Sequence, residues 1–213
     1  MDTKQELAKS RMTRQGICYG LTFTCAAFLL INSLAASQQS AQPTTTVSAP
    51  VTPLRMSSPA FSDGSQIPNA YTCVAQADVK SPQLEWKNIP TGTVSFALIV
   101  HDLDPRPNKS ADDILHWMVW NIPGNADGLP ENVPTGVADV PGGAHQGINQ
   151  RGKIGWAGPC PPLGNPPHHY TFELFALDTN LQLPSDVDRH RLIGAIDGHV
   201  LGHAVFIGLF NRN

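Results

Sequence analysis

Four short apolar runs, separated by long stretches rich in glycine and proline, constrain the fold of this chain more than any other sequence feature. They cover residues 95–100, 116–122, 170–177 and 204–210 and are rich in Val, Ile, Phe, Trp and Leu. Such runs, bounded by Pro, Gly, Asn or Asp, are typical of β-strands. The 18 Gly and 19 Pro residues exclude a helical bundle or a coiled coil. We therefore predict a mainly β protein.

The pattern within the runs indicates where the strands lie. The first two runs alternate only weakly between apolar and polar residues, which suits strands covered on both faces, as in the middle of a packed sandwich. Only residues 186–202 favour a helix, with Ser185 as its cap and apolar residues at every fourth position from Leu192 to Val200. Its three glycines either permit close packing on the sheet or end the helix early.

The N-terminus predicts export. Residues 1–37 contain basic residues, then an uncharged apolar stretch, then small residues, which is the pattern of a secretory signal peptide. The alternative is a retained membrane anchor formed by residues 17–36. Residues 38–53 are polar and rich in Pro and Thr, so we expect a disordered linker. Residues 54–213 then form the folded domain of a periplasmic or secreted protein.

Charge and cysteine content narrow the class of protein. The net charge of −3 supplies no basic surface for a nucleic acid, so no nucleic-acid partner is predicted. Two of the four cysteines fall inside the signal sequence, which leaves Cys73 and Cys160 in the mature chain. An oxidising compartment favours a disulfide between them, and two buried free thiols are the alternative.

Polar residues at the ends of the apolar runs are candidates for a small binding pocket. They are Asp102, Asp104, His116, His168, His169 and Tyr170. Taken singly, the two Asp residues suit a turn, and a lone His beside a strand is more often a packed core residue. The rigid segment 152–170, with five prolines and four glycines, could likewise be a purely structural loop. The combination of carboxylates, imidazoles and a phenol favours the pocket.

Several enzyme classes lack their signatures in this sequence. There is no Gly-rich phosphate loop, no CxxC or HExxH zinc motif and no G-x-S-x-G nucleophile motif. Metal binding by Asp102, His116 and His168 is chemically possible, but no closely spaced ligand pair supports it. We therefore predict no metal, no cofactor and no catalytic residue.

Nine short motifs follow one another between Pro59 and Phe210. They are Pro59-Ala60-Phe61, Ile67-Pro68 with Tyr71-Thr72-Cys73, Ser81-Pro82-Gln83-Leu84-Glu85-Trp86, Asp102-Leu103-Asp104-Pro105, His116-Trp117, Gly147-Ile148-Asn149, Gly158-Pro159-Cys160-Pro161-Pro162, His168-His169-Tyr170 and Gly198-His199-Val200-Leu201. In this order they resemble the phosphatidylethanolamine-binding protein (PEBP) family, specifically its bacterial and archaeal Raf-kinase-inhibitor-like branch.

The resemblance implies an antiparallel β-sandwich with a few peripheral helices and a small pocket for phosphate-like head groups. It implies that the ligand-binding residues are Asp102, Asp104, His116, Gly158, Cys160, Pro161, His168 and Tyr170. Asp102 would be the buried carboxylate and Asp104 would brace the loop. We expect His116 to donate to the anion as an imidazolium, and Cys73 to be bonded to Cys160.

The sequence also departs from the family pattern, since Arg106 follows the Asp102-Leu103-Asp104-Pro105 motif and His169 replaces an arginine. Arg106 could add a positive charge at the pocket mouth. We expect an exported, non-enzymatic binding protein for a phospholipid head group or another small anionic or phosphorylated ligand. The alternatives are an enzyme, a hydrolase or isomerase using the same Asp, His and Tyr, and an interaction module that inhibits a protease or another partner. Contact with a membrane would be transient or would use an uncleaved N-terminal segment.

Overall fold

Two β-sheets and one short α-helix form the folded part of the chain. The structure, a computed structural model, describes residues 52–140, 142–184 and 186–213. The strands are β1 (Arg55–Ser57), β2 (Ser65–Gln66), β3 (Leu84–Lys87), β4 (Ser95–Asp102), β5 (Ile114–Pro123), β6 (Gly128–Leu129), β7 (Asp139–Val140), β8 (Ala144–Gln146), β9 (His168–Leu177) and β10 (Val200–Phe210), and the helix is α1 (Arg189–Ile196). The predicted signal peptide, and all of the predicted linker except Thr52 and Pro53, lie outside the described residues.

The four predicted strands occupy neighbouring positions in the larger sheet. Its order is β2-β10-β9-β4-β5-β8-β7, and the smaller sheet has the order β1-β3-β6. All pairs are antiparallel except β10 with β2, which are parallel. The prediction of a mainly β, PEBP-like sandwich is confirmed.

The main core lies between the two sheets. Met56 and Trp86 of the smaller sheet belong to one buried cluster with Phe96, Phe172 and Phe206 of the larger sheet. Burying each of these aromatic side chains contributes roughly 1.5–3 kcal/mol through the hydrophobic effect. The apolar runs therefore assemble the sandwich mainly by covering their aromatic residues.

A second cluster covers the opposite face of the larger sheet. There Ile99 of β4 and Trp120 of β5 pack with Leu192 and Ile196 of α1. All eight residues of β4 are buried. This double coverage explains why the first apolar run has no clear alternation.

A helix near residues 186–202 is confirmed, and it ends early, which is one of the two outcomes expected from its glycines. Its N-cap is Asp188, whose carboxylate accepts a hydrogen bond of 2.8 Å from the backbone N–H of Arg191. The predicted cap, Ser185, lies outside the described residues. The helix has ended before Gly198, which has a left-handed φ of 81°. From Val200 onward the chain pairs with β9, because apolar residues there fill the core as a strand.

A disulfide joins Cys73 to Cys160, whose Cα atoms are 5.4 Å apart across 87 residues of sequence. The backbone N–H of Cys73 also donates to the carbonyl oxygen of Pro159 at 3.0 Å. These bonds hold the 158–161 loop against the segment that follows Tyr71. Within the described residues, no helix has the length and apolar character needed to cross a bilayer.

Candidate functional site

The antiparallel pairing of three strands brings the predicted site residues to one end of the larger sheet. β4 ends where β5 and β9 begin, and Asp102 lies opposite both Ile114 of β5 and Tyr170 of β9. His168 and Tyr170 are two residues apart on β9, so their side chains lie on the same face as each other. The sheet thereby collects residues that are up to 68 positions apart in sequence, counted from Asp102 to Tyr170.

Asp102 and His168 form a buried pair at this end of the sheet. Asp102 Oδ2 and His168 Nδ1 are 2.7 Å apart, and the two side chains are 4% and 8% exposed. The second oxygen, Oδ1, accepts a hydrogen bond from the backbone N–H of Asp104 at 3.1 Å. His168 Nε2 lies 3.3 Å from the side-chain amide of Asn165. The imidazole is therefore oriented by a carboxylate on one side and an amide on the other.

Asp104 connects the loop after β4 to the start of β9. Its Oδ2 accepts a hydrogen bond from the backbone N–H of His169 at 2.6 Å and lies 3.2 Å from the ring Nδ1 of the same residue. Burial alone would raise the pKa of Asp104, but the His169 backbone and ring together hold that pKa below its usual range. These contacts are those of a loop brace, the role implied by the resemblance.

His116 is almost fully buried and its ring is neutral. Burial lowers the pKa of His116 from 6.5 to about 4, although the Ala157 carbonyl and Asp102 favour the charged ring. His116 Nδ1 lies 2.5 Å from the carbonyl oxygen of Ala157. A carbonyl oxygen can only accept, so Nδ1 carries the proton and Nε2 is left as an acceptor. The expected imidazolium donor is thus replaced by a neutral ring, because the attraction of Asp102 is too weak to compensate the burial of the ring.

Tyr170 supplies an unused donor beside these residues. The side chain is fully buried, and its ring lies edge-on to His116 with ring centroids 5.0 Å apart. The hydroxyl lies near the Asp102 carboxylate and the backbone of Cys160, yet it has no hydrogen-bond partner among the described residues. Burial and the negative charge of Asp102 raise the pKa of Tyr170, so the phenol keeps its proton at neutral pH.

The loop residues of the predicted site contribute backbone rather than side-chain chemistry. The Gly158 carbonyl accepts from the Arg151 guanidinium at 3.2 Å, and the Pro161 carbonyl accepts from Arg212 Nε at 2.6 Å. Gly158 is also needed for space, because a Cβ at this position would lie 2.7 Å from Val79 Cγ1. Cys160 is occupied by the disulfide. These residues shape the wall of the site.

Two arginines and three other residues were missed as parts of this wall. Arg151 and Arg212 fix loop carbonyls, while Ala157, Gln150 and Asn165 contact the imidazoles. Gln150 and Arg151 directly follow the Gly147-Ile148-Asn149 motif, which is the signal that could have identified them. Arg106, expected at the pocket mouth, is exposed and donates to the carbonyl oxygen of Pro105 at 3.4 Å.

Asp102, Asp104 and His168 could also offer ligand atoms to a metal ion. One atom from each of these side chains lies within 4.8 Å of the others. The same side chains also make internal hydrogen bonds, since Asp102 pairs with His168 and Asp104 accepts from the backbone N–H of His169.

The side chains described above define the candidate site. A cleft of about 620 Å³ between β3 and β6, for example, is lined by Trp86 and Asp127 and includes none of the predicted site residues.

Comparison with known proteins agrees with this geometry. A family model described as phosphatidylethanolamine-binding protein matches residues 57–211, most of the chain. The chain belongs to the phosphatidylethanolamine-binding protein family. All of the predicted site residues of this PEBP lie within the matched region.

Relatives of this PEBP occur in archaea and bacteria. A UPF0098 protein of Methanothermobacter thermautotrophicus is 43% identical over 153 residues, which are 72% of this chain and 95% of the relative. E. coli YbcL, described as a new member of the mammalian PEBP family, has a TM-score of 0.68 at 29% identity, covering 76% of this chain and 100% of YbcL. The PEBP homologue CT736 of Chlamydia trachomatis has a TM-score of 0.66 at 33% identity, covering 76% and 99%. The chain thus falls in the bacterial and archaeal branch of the family.

Proposed function

We propose that this protein is an exported, non-enzymatic binding protein for small anionic or phosphorylated ligands, including phospholipid head groups. The observation that carries the proposal is the buried hydroxyl of Tyr170, a donor without a partner. Leaving such a group unsatisfied costs roughly 1–3 kcal/mol. A ligand oxygen that accepted from Tyr170 would recover this cost.

The neutral ring of His116 narrows the class of ligand that the site can bind. Its Nε2 accepts rather than donates, so it favours a protonated phosphate oxygen or an ammonium group. Asp102 is likewise an acceptor. A head group such as phosphoethanolamine offers both an oxygen for Tyr170 and hydrogens for these acceptors.

Two observations support the exported location. The first 37 residues have the pattern of a secretory signal, and a disulfide joins the two cysteines that follow it. Disulfides persist in oxidising compartments such as the periplasm. Membrane contact would then be transient and made through the ligand.

Tyr170→Phe tests the proposal, with Tyr71→Phe as the matched control. The Tyr71 hydroxyl donates to Glu131 at 2.7 Å on the exposed surface and makes no hydrogen bond to a pocket residue among the described residues. We expect Tyr170→Phe to weaken phosphoethanolamine binding about tenfold with little change in the melting temperature, since the hydroxyl only lies near Asp102 and Cys160 and has no hydrogen bond of good geometry among the described residues. Tyr71→Phe should leave the affinity unchanged. Unchanged affinity in Tyr170→Phe, by isothermal titration calorimetry, would contradict the proposal.

The Asp102–His168 pair supports one alternative, an acid–base enzyme such as a hydrolase or isomerase. A carboxylate 2.7 Å from an imidazole is a common arrangement in general-base catalysis. Among the described residues, however, no Ser, Thr or Cys side chain is hydrogen-bonded to His168 or His116. Turnover of phosphate esters that is lost in Asp102→Asn would favour the enzyme over the binding protein.

A further inference from the structure

A second cleft lies on the other side of the loop that forms the pocket wall. It has a volume of about 280 Å³ and is bordered by Arg151 and Lys153, by Thr135 and by the indole of Trp156. None of its lining residues is an Asp or a Glu. The size suits a small ligand, and the charge suits an anion.

Both cations project from one turn that is held by a buried side chain. Asn149 is 6% exposed, and its Oδ1 accepts from the backbone N–H groups of Arg151 at 2.9 Å and Lys153 at 3.3 Å. Its Nδ2 donates to the carbonyl oxygen of Gly155 at 2.7 Å. Gly152, between the two cations, has the left-handed φ of 68° that this turn requires. The backbone positions of Arg151 and Lys153 are therefore fixed before any ligand arrives.

The charges of this cleft are not neutralised by the protein. Neither Arg151 nor Lys153 pairs with a carboxylate among the described residues, whereas Lys80 pairs with Glu131 and Arg189 with Asp113. The whole chain carries a net charge of −3, but the cleft itself combines these two cations with no lining carboxylate, so its local charge is positive.

The backbone of Ala157 and Gly158 separates this cleft from the pocket of the proposed function. The carbonyl of Ala157 accepts from His116 on the pocket side, and the carbonyl of Gly158 accepts from Arg151 on the cleft side. The two sites share a wall but no donor side chain. Their ligand preferences can therefore differ.

We propose that this cleft, bordered by Arg151 and Lys153, is a second binding site for a small tetrahedral oxyanion such as a sulfate or phosphate group. The planar guanidinium of Arg151 can donate two parallel hydrogen bonds to such a group, and Lys153 adds a mobile ammonium. The hydroxyl of Thr135 can donate a further bond from the opposite wall. Because no carboxylate lines the cleft, a fully deprotonated anion can bind there without repulsion.

Sulfate is the probe that separates the two sites. It carries no proton at neutral pH, so it cannot donate to the neutral Nε2 of His116, but it suits Arg151 and Lys153. Calorimetric titration of the full chain with sodium sulfate, at constant ionic strength, should show saturable binding. The Arg151→Gln/Lys153→Gln variant should bind sulfate at least about tenfold more weakly.

Two controls make the result specific. Arg55→Gln/Lys87→Gln removes the same charge from exposed positions that face each other on β1 and β3, and should change sulfate affinity by less than about twofold. Tyr170→Phe, the variant of the other pocket, should also leave sulfate binding unchanged. The Lys153 side chain makes no hydrogen bond to the described residues, so Lys153→Gln alone should fold normally. This single variant should still weaken sulfate binding about threefold.

Three results would overturn the inference. The first is the absence of saturable sulfate binding to the wild-type chain. The second is unchanged affinity in the Arg151→Gln/Lys153→Gln and Lys153→Gln variants. The third is an equal loss in Arg55→Gln/Lys87→Gln, which would show a general field effect rather than a site. None of them bears on the Tyr170 pocket, which is tested with phosphoethanolamine.

Discussion

His101 and Asp102 are consecutive residues of β4, and their side chains serve opposite faces of the same sheet. Asp102 pairs with His168 at 2.7 Å in the candidate site. His101 lies 2.7 Å from Asp113 through Nδ1 and 3.2 Å from Glu173 through Nε2, on the face that α1 covers. One strand end thus carries the candidate site on one face and a buried ionic cluster on the other.

The ionic cluster predicts a loss of stability on the alkaline side. Burial alone would lower the pKa of His101, but Glu173 and Asp113 outweigh both burial and the nearby Arg189 and raise it. Because the pKa of His101 is raised in the folded protein, its protonated ring stabilises the fold. This contribution is complete below pH 6.5, the pKa in the unfolded chain, and is lost as the pH rises through the pKa in the folded protein.

We expect His101→Gln to be less stable than wild type at about pH 6, and the difference to shrink by about pH 9. Chemical denaturation at both pH values measures it. His190→Gln, at an exposed position on α1, is the control and should give no such trend. A difference that stays constant or grows with pH would contradict the assignment.

His116 predicts the opposite trend on the acid side. Its pKa is about 4 in the folded protein and 6.5 in the unfolded chain, so its stabilising contribution is complete above pH 6.5 and is lost as pH falls to about 4. At 1.36 kcal/mol per pKa unit the loss is roughly 3 kcal/mol. The free energy of unfolding of His116→Gln should fall less steeply over this range. Parallel pH profiles of the two proteins would show that the ring is not held neutral.

The Cys73–Cys160 bond predicts a redox-dependent stability. Cross-linking residues 87 apart restricts the unfolded chain, so the Cys73→Ala/Cys160→Ala variant should lose roughly 2–4 kcal/mol of unfolding free energy. A reductant should destabilise the wild type similarly and leave the variant unchanged. Labelling of two thiols in unfolded, unreduced mature protein would show that the bond is absent.

Gly158 predicts a steric requirement in the pocket wall. An added Cβ would lie 2.7 Å from Val79 Cγ1 and 2.8 Å from the backbone oxygen of Tyr71. Because the backbone contact cannot relax cheaply, Gly158→Ala should destabilise the protein by about 1–3 kcal/mol. Gly194→Ala, which meets no atom within 4 Å in α1, should instead be neutral or stabilising by up to about 1 kcal/mol. Thermal unfolding compares the Gly158→Ala and Gly194→Ala variants, and equal melting temperatures would contradict the predicted steric clash at position 158.

The N-terminal pattern predicts proteolytic processing. Residues 1–37 contain basic, apolar and small-residue regions in the order of a signal peptide. The exported protein should therefore begin between Ala36 and Ser40. Intact-mass spectrometry of exported material decides it, and a retained Met1 would favour the membrane-anchor alternative.

The long strands could be predicted because each contains a run of apolar residues that is buried in the core and is visible in the sequence. The two-residue strands β2 and β6 could not, since their hydrogen bonds depend on partners far away in sequence, as Ser65 does on Gly208. The strand β7 pairs with the nearby β8, but two residues are too short to form a recognisable apolar run. The helix was overextended because Leu192, Ile196 and Val200 keep a helical spacing across the glycine that ends it. The pocket residues followed from family motifs, but the neutral state of His116 depends on burial against Ala157, which motifs do not reveal.

The position of β10 has a consequence for how the chain acquires its structure. This late strand lies between β9 and the early strand β2, and it supplies Phe206 and Phe210 to the core. Neither the sheet nor the core is complete until residues 200–210 have been synthesised. Folding therefore depends on contacts that are distant in sequence, and such proteins fold more slowly than proteins rich in local contacts. We therefore expect a nascent chain of this kind to stay unfolded while it leaves the ribosome, the state that the proposed export through a translocation channel would require.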